Sequence, residues 1–215
     1  MTNPLTQAFA KLQNSEKELR KKHCAVGNRT FIQRKKDAMK RKDKALARKL
    51  IQPENCDCIL DEFPKENEIL HAITCGDFVM GDLIIRAIQR LGPPERLTLA
   101  TLSMSLKNAE ALADQMAQHP SLQVDLLLSH YFQNTNGDIF TAIENLLSKK
   151  FPERFSVKIE RSHAKITLFE YPDAAYVIET SANLRSSNNI EQMVITNDRA
   201  LLNFHRQWIE EVTHD

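Results

Sequence analysis

The spacing of apolar residues divides the chain into two parts. In the first part, apolar residues recur every three to four positions over residues 5–24 and about 30–50. This spacing predicts two helices, the second with a narrow apolar seam on a basic surface. Residues 51–66 contain two prolines and several acids, a composition typical of a junction. We therefore predict a basic helical arm with its linker over residues 1–60 and a folded domain over residues 61–215.

In the second part, short β-branched runs alternate with stretches of helical spacing that end at Pro or Gly. The predicted helices cover residues 78–91, 106–118, 138–150 and 199–212. The predicted strands cover residues 68–75 (where a short helix is the alternative), 96–104, 122–128, 155–169, 175–181 and 192–196. Two of these strands, 155–169 and 175–181, form a predicted hairpin across Tyr171-Pro172-Asp173. Alternation of this kind implies an α/β fold in which a mixed β-sheet is sandwiched between helices.

Charge is distributed unevenly between the two parts. The first 50 residues carry 15 Lys and Arg against 4 Asp and Glu, a net charge of +11, whereas the remaining residues have a net charge of −10. A basic arm indicates a polyanionic partner, and docking of the arm on its own acidic domain is the alternative. We expect nucleic acid, with DNA favoured over RNA, because phosphate binding is driven by such charge. The predicted contact residues of the arm are Arg34, Lys35, Lys36, Lys40, Arg41, Lys42, Lys44, Arg48 and Lys49.

Cysteine usage and hydropathy indicate a reduced, cytoplasmic protein. The four cysteines form no CxxC pair, and no apolar stretch is long enough for a signal peptide or a membrane span. A zinc site built from Cys56, Cys58, Cys75 and His23 is the alternative to unpaired cysteines, but its spacing matches no common structural zinc pattern. We therefore expect no metal or other cofactor. The arm also lacks Trp and has few bulky apolar residues, so membrane binding is not expected.

Polar residues whose side chains could take part in catalysis cluster around the predicted hairpin. His163 and Lys165 are two residues apart in a predicted strand, so their side chains leave from the same face. Ser181 and Asn183 repeat this spacing at the end of the partner strand, which a hairpin brings back towards His163. A single His or Lys on a strand is ordinarily an exposed residue on a solvated face. Four such residues at corresponding positions of the two strands instead predict one site at which their side chains come together.

The order of these residues resembles the signature of the phospholipase D superfamily. His163-Ala164-Lys165, then Glu170, then Thr180-Ser181-Ala182-Asn183 after a second strand fill the signature in sequence, and Asn189-Ile190-Glu191 resembles the later segment of the family. The resemblance covers one superfamily half, from about residue 68 to 212, and does not include the arm. Two residues depart from the family pattern: Glu170 stands where Asp is usual, and Thr180 stands where Gly is usual. Glu170 is an odd number of positions from His163, so in a strand its side chain would leave from the opposite face. We therefore expect its role to be structural.

The resemblance implies a metal-independent phosphodiesterase. In the family chemistry, a histidine corresponding to His163 attacks phosphorus, and a second histidine protonates the leaving oxygen and then activates water. Lys165 and Asn183 would stabilise charge on the phosphate oxygens, Ser181 would bind the phosphate or orient the histidine, and Glu191 would fix an imidazole tautomer.

The chain contains one such histidine motif where the mechanism needs two. The resemblance therefore implies a homodimer whose two copies of His163 form one composite site. With the basic arm, a nuclease is the expected activity. An inactive or weakly active nucleic-acid-binding protein on the same fold is the alternative, and a phospholipid-acting enzyme is the third hypothesis.

Overall fold

The described part of the chain folds around one mixed β-sheet. The computed structural model describes residues 47–76, 78–185 and 189–212. The strands are β1 (Ala47–Ile51), β2 (Glu68–Thr74), β3 (Arg96–Thr101), β4 (Gln123–Ser129), β5 (Phe155–Glu160), β6 (Ile166–Glu170), β7 (Ala175–Thr180) and β8 (Glu191–Asn197). Their order across the sheet is β1-β2-β8-β7-β6-β3-β4-β5. The pairs β1–β2, β3–β4 and β4–β5 are parallel, and the remaining neighbours are antiparallel.

Helices connect most of these strands, and their ends follow local sequence signals. The helices are α1 (Cys56–Asp61), α2 (Met80–Leu91), α3 (Leu106–Gln118), α4 (His130–Thr135), α5 (Gly137–Lys150) and α6 (Arg199–Glu211). The hydroxyl of Ser105 caps α3 by accepting the Asn108 N–H at 3.2 Å, and the Asp198 carboxylate caps α6. Helix α2 ends at Gly92, whose φ of 86° is readily adopted by glycine.

Apolar side chains cover both faces of the sheet. On one face, residues of α1 to α5 pack on buried strand residues such as Leu70, Leu99 and Phe169. On the other face, Leu202 and Ile209 of α6 pack against alternate residues of β3, β4, β6 and β7. This arrangement confirms the predicted α/β fold with a mixed sheet between helices. No helix in the described part is long and apolar enough to span a membrane.

Two predicted elements are wrong in their bounds. Residues 155–169 do not form one strand, because β5 ends at Glu160 and pairs with β4, whereas β6 begins at Ile166 and pairs with β3 and β7. The observed hairpin is therefore β6–β7. Residues 47–50, assigned to a helix of the arm, belong to β1, which pairs with β2, and helix α1 lies within the predicted junction. The rest of the predicted arm lies outside the described residues.

Candidate functional site

The predicted site residues lie along one edge of the sheet. Strands β2, β3, β4, β5 and β7 end at this edge, and β6 and β8 begin there, as the pairs Thr74–Glu191 and Ala100–Ile166 show. We call it the carboxyl edge. In α/β sheets, ligands generally bind at the carboxyl ends of parallel strands.

His163 and Lys165 lie in a loop that crosses the carboxyl edge. This crossing loop, residues 161–165, leads from β5 past the ends of β4 and β3 to β6. Its polar sequence satisfies its own backbone: the Ser162 hydroxyl accepts the Ala164 N–H at 3.1 Å. The prediction that His163 and Lys165 project from a strand is therefore wrong, because the chain must leave the sheet to pass two intervening strands. Both residues nevertheless lie at the predicted edge.

Lys165 contacts both the loop and the hairpin. Its ammonium group donates a hydrogen bond to the carbonyl of His163 at 3.1 Å, and its own carbonyl accepts the Thr180 N–H at 3.1 Å. The second bond joins the crossing loop to the end of β7. The hairpin thus brings the segment 180–183 beside Lys165, as predicted. The side chain of His163 is exposed.

Ser181 and Glu191 contact each other where β7 ends and β8 begins. The Ser181 hydroxyl donates to the Glu191 carboxylate and accepts the Gln192 N–H at 3.0 Å. In the preceding residue, the Thr180 hydroxyl donates to the Gln192 carbonyl at 2.8 Å and accepts the Ala182 N–H at 3.0 Å. Thr180, where the family pattern has Gly, therefore holds the turn that positions Ser181.

Asn183 lies in a small cavity beside Ser181. The cavity is also lined by Arg185, Glu191 and the buried Thr74 at the end of β2. The Oδ1 atom of Asn183 is buried and has no hydrogen-bond partner among the described residues. An unsatisfied buried amide oxygen is costly unless a ligand or water contacts it. The Oδ1 atom of Asn183 is therefore available to a hydrogen-bond donor on a ligand or water.

Three buried hydroxyl residues at this edge were not among the site residues predicted from the sequence. Thr101, Ser103 and Ser129 are each at most 4% exposed and lie at or just after the ends of β3 and β4. The Thr101 hydroxyl donates to the Ser103 carbonyl at 3.1 Å and accepts the Leu184 N–H at 3.4 Å. It thereby fastens the segment carrying Ser181 and Asn183 to β3. In the sequence, these three residues could have been located as hydroxyl residues at or just after the ends of apolar strands.

Cations at the carboxyl edge lack carboxylate partners. Among the described residues, no ion pair forms at Lys107 in the first turn of α3, at Arg161 and Lys165 in the crossing loop, or at Arg185 after Asn183. In contrast, Arg96, Arg199 and Arg206 all form ion pairs with acids. Unpaired cations in one region favour an anionic ligand there.

The opposite edge of the sheet carries a depression rich in carboxylates. This depression is lined by Glu66, Glu68, Asp173 and Asp198, together with Arg199. The guanidinium of Arg199 is occupied by the carbonyl oxygens of residues 171, 172 and 174 and by Glu170. Carboxylates repel phosphate, so this depression is not suited to a phosphate ligand.

Glu170 lies at this opposite edge and away from the other motif residues. It ends β6, whereas Lys165 directly precedes β6, and its carboxylate accepts hydrogen bonds from Arg206 at 2.9 and 3.1 Å and from Arg199 at 3.3 Å. Both arginines belong to α6. The geometry is that of a residue that fixes α6 on the sheet.

Two predicted nucleic-acid contacts of the arm are within the described residues. Arg48 is exposed on β1, but the ammonium of Lys49 lies 3.3 Å from both Glu62 and Glu68. Lys49 is therefore ion-paired in this structure, and the roles of Arg48 and Lys49 in nucleic-acid binding stay predictions. The other seven arm residues lie outside the described residues: Arg34, Lys35, Lys36, Lys40, Arg41, Lys42 and Lys44.

The cysteines of the described part show no metal-binding arrangement. Cys56, Cys58 and Cys75 are free thiols, and no group of three or more His, Cys, Asp or Glu side chains in this part is placed to hold a metal ion. Burial raises the pKa of the Cys56 thiol to about 11, which keeps it protonated at neutral pH. His23 lies outside the described residues.

Comparison with known proteins yields distant structural similarities. The sequence matches no protein-family model and no curated protein. The structure is similar to polyphosphate kinase from Porphyromonas gingivalis, with a TM-score of 0.46 and 10% identity over 65% of this chain; the match spans 25% of the kinase chain. It is also similar to TrmBL2, an archaeal chromatin protein that binds DNA, with a TM-score of 0.45 and 11% identity over 98% of this chain and 69% of that one. At these values neither similarity identifies a substrate for this chain.

Proposed function

We propose that this chain is a member of the phospholipase D superfamily and a metal-independent phosphodiesterase, acting as a nuclease through a phosphohistidine intermediate. The observation that supports the proposal is that His163, Lys165, Ser181, Asn183 and Glu191 all lie along one edge of the sheet, with Lys165 bonded to Thr180 and Ser181 bonded to Glu191. The sequence signature supplies the residue types, and the Lys165–Thr180 backbone bond supports their proximity.

The proposed reaction proceeds in two displacements at phosphorus. In the first, an imidazole nitrogen of neutral His163 attacks phosphorus, a P–N bond forms, and the P–O bond to the leaving group breaks while a second histidine donates a proton to that oxygen. In the second, the same histidine takes a proton from water, the water oxygen attacks phosphorus, and the P–N bond breaks. His163 is exposed, so a diester can approach it from solvent.

The other residues would stabilise charge at the transferred phosphate. Among the described residues, the Lys165 ammonium donates to its own loop, and a rotation about its flexible stem would bring it to a phosphate oxygen. The side-chain NH2 of Asn183 would donate a hydrogen bond to a phosphate oxygen. Ser181 and Glu191 already contact each other, so we assign them to positioning the turn and to receiving an imidazole N–H when the site is assembled.

The second histidine comes, in this proposal, from a second copy of the chain. A homodimer with a two-fold axis at the carboxyl edge would place the two His163 side chains face to face. Nucleic acid, with DNA favoured, is the proposed substrate because the cations of the edge and the basic arm both suit a phosphate backbone.

A nucleic-acid-binding protein without turnover is the second candidate function. The observation that favours it is the internal pairing of the motif groups, since Lys165 donates to the His163 carbonyl and Ser181 donates to Glu191. A motif paired in this way would have fewer groups free for catalysis, whereas Lys107, Arg161 and Arg185, which form no ion pair among the described residues, would contact a phosphate backbone.

Turnover in the presence of a chelator separates these candidates. Purified full-length protein is incubated in EDTA with single-stranded DNA, duplex DNA, RNA and a chromogenic phosphodiester. We expect cleavage that survives EDTA and disappears in His163→Ala. The matched control is His119→Ala, because His119 follows α3 at the opposite edge. Binding without turnover on every substrate would support the second candidate, and cleavage that requires added metal would contradict the proposed mechanism.

A further inference from the structure

An exposed tyrosine lies at the carboxyl edge beside the start of the crossing loop. Tyr131 follows Ser129, the last residue of β4, and its side chain is 60% exposed. Its backbone is fixed, because the Ser129 hydroxyl accepts its N–H at 3.2 Å and its carbonyl accepts the Thr135 hydroxyl at 2.7 Å. The next residue, Phe132, is buried in the core. An aromatic ring is therefore presented to solvent from a fixed backbone position.

Arg161 lies at the same end of the neighbouring strand. Ser129 pairs with Glu160 at the ends of β4 and β5, so His130 and Arg161, which directly follow these strands, are neighbours on the carboxyl edge, and Tyr131 is the next residue after His130. Arg161 is exposed and forms no ion pair within the described ranges. The nearby ionisable groups are His130 and Glu160. An exposed aromatic ring and a guanidinium without an ion pair among the described residues are thus carried by segments that follow two neighbouring strands.

The same loop connects this pair to the proposed reacting centre. Strands β5 and β6 are three positions apart in the sheet, a separation of roughly 14 Å at the usual strand spacing. The crossing loop spans that distance, with Arg161 at one end, His163 in the middle and Lys165 at the other end. A nucleic-acid strand of a few nucleotides would cover the same span.

We propose that Tyr131 and Arg161 form a flanking subsite for single-stranded nucleic acid, in which the Tyr131 ring stacks on a base and Arg161 binds the adjacent phosphate. The placement of this subsite beside the scissile phosphate rests on the proposed function of His163. Stacking needs an open base face, which a single strand offers and a duplex does not. One tyrosine beside an arginine presents too little apolar area for insertion into a lipid surface.

Binding by catalytically disabled protein tests the subsite without turnover. In full-length His163→Ala protein, fluorescence anisotropy measures affinity for an oligothymidylate of about six nucleotides and for an abasic oligomer of the same length. We expect Tyr131→Ala to weaken oligothymidylate binding about tenfold and to leave abasic binding unchanged, because only the base can stack. We expect Arg161→Ala to weaken both ligands and to reduce the salt dependence of log K by about 0.7.

Matched controls separate the subsite from general surface effects. Phe204→Ala removes an equally exposed aromatic ring from α6, and Lys149→Ala removes an exposed cation near the end of α5; both variants should bind like the parent. The basic arm is present in every variant, so its contribution is common to all of them. Circular dichroism confirms that each variant is folded.

Several outcomes would overturn the inference. Unchanged oligothymidylate binding in Tyr131→Ala, or equal losses for the base-containing and abasic oligomers, would remove the stacking role. Loss of binding to vesicles containing phosphatidylserine, with oligomer binding retained, would assign the pair to a membrane instead.

Failure of the subsite and failure of the proposed function are distinguishable. If His163→Ala abolishes cleavage while the Tyr131 and Arg161 variants bind normally, the subsite is wrong and the proposed enzyme stands. If the parent never cleaves but both variants bind poorly, the subsite stands as a binding site and the proposed enzyme is wrong.

Discussion

The hydroxyl of Thr101 accepts a hydrogen bond from the backbone N–H of Leu184 and so joins two segments 83 residues apart in the chain. The same hydroxyl donates to the Ser103 carbonyl, and Thr101 is 2% exposed. One buried side chain therefore links the end of β3, the turn before α3 and the segment that carries Ser181 and Asn183. The position of the proposed site depends on this link.

Thr101→Val should destabilise the fold, because it leaves the Leu184 N–H and the Ser103 carbonyl without this partner. We expect a loss of about 1–2 kcal/mol in the free energy of unfolding, measured by urea denaturation. Thr196→Val is the matched control: the Thr196 hydroxyl is buried without a hydrogen-bond partner among the described residues, so its removal should be neutral or stabilising. Equal destabilisation by both substitutions would contradict the proposed link.

Gly81→Ala should also disturb this segment. A Cβ on Gly81 in α2 would overlap the side-chain amide of Asn108 and would lie 2.9 Å from the Leu184 carbonyl oxygen. We expect a loss of about 1–3 kcal/mol in stability, together with reduced activity if Leu184 is displaced. In Gly137→Ala, where the added Cβ has no neighbour within 4 Å, thermal unfolding should show no loss of stability. Unchanged stability in Gly81→Ala would contradict this prediction and would show that the segment around Leu184 shifts without cost.

Glu170→Gln should affect stability and leave catalysis unchanged. The substitution removes the charge that Arg199 and Arg206 share, and Glu170 is mostly buried, so we expect a loss of about 1–2 kcal/mol in urea unfolding. The kcat should not change, because Glu170 lies roughly 16 Å along β6 from Lys165. The exposed turn residue Asp173, replaced by Asn, is the control. A large fall in kcat for Glu170→Gln at full folding would assign this acid to the reaction.

The fold was predictable because most of its elements carry local signals. The apolar, β-branched run of β3 and the Ser105 and Asp198 caps identify elements without knowledge of the tertiary structure. The break between β5 and β6 was not predictable in this way. Residues 155–160 and 166–169 are both strand-forming, and the polar run between them does not by itself show that β5 and β6 are separate strands; the pairing of β5 with β4 requires the chain to cross the edge before β6 begins.

The residues of the candidate site were predictable from the sequence, but the contacts between them were less so. The signature located His163, Lys165, Ser181 and Asn183 in the chain, but their contacts depend on pairings between distant segments. Lys165 meets Thr180 because β6 and β7 form a hairpin, whereas Thr101 meets Leu184 through a tertiary contact that no local pattern encodes. The exposure of Tyr131 likewise follows from the packing of α4.

Specific activity should depend on protein concentration if the site is composite. On dilution below the dimer dissociation constant, activity per chain should fall in parallel with the dimer fraction measured by analytical ultracentrifugation. Mixing His163→Ala with wild-type chains should give inactive heterodimers and a corresponding loss of activity. Full activity in the monomer would contradict the composite site and would direct attention to His130 at the start of α4 and to His205, whose Nε2 lies 3.2 Å from Glu179 near the end of β7.

The most direct test of the central claim is to isolate the covalent intermediate. Full-length protein is mixed with a cleavable single-stranded oligonucleotide in EDTA, quenched in alkaline denaturant, digested and mapped by mass spectrometry. We predict an adduct in which the retained part of the oligonucleotide is joined through its terminal phosphate to His163, formed and lost at rates that match turnover and absent in His163→Asn. Turnover without an adduct at His163, or with an adduct on another residue, would contradict the proposed mechanism.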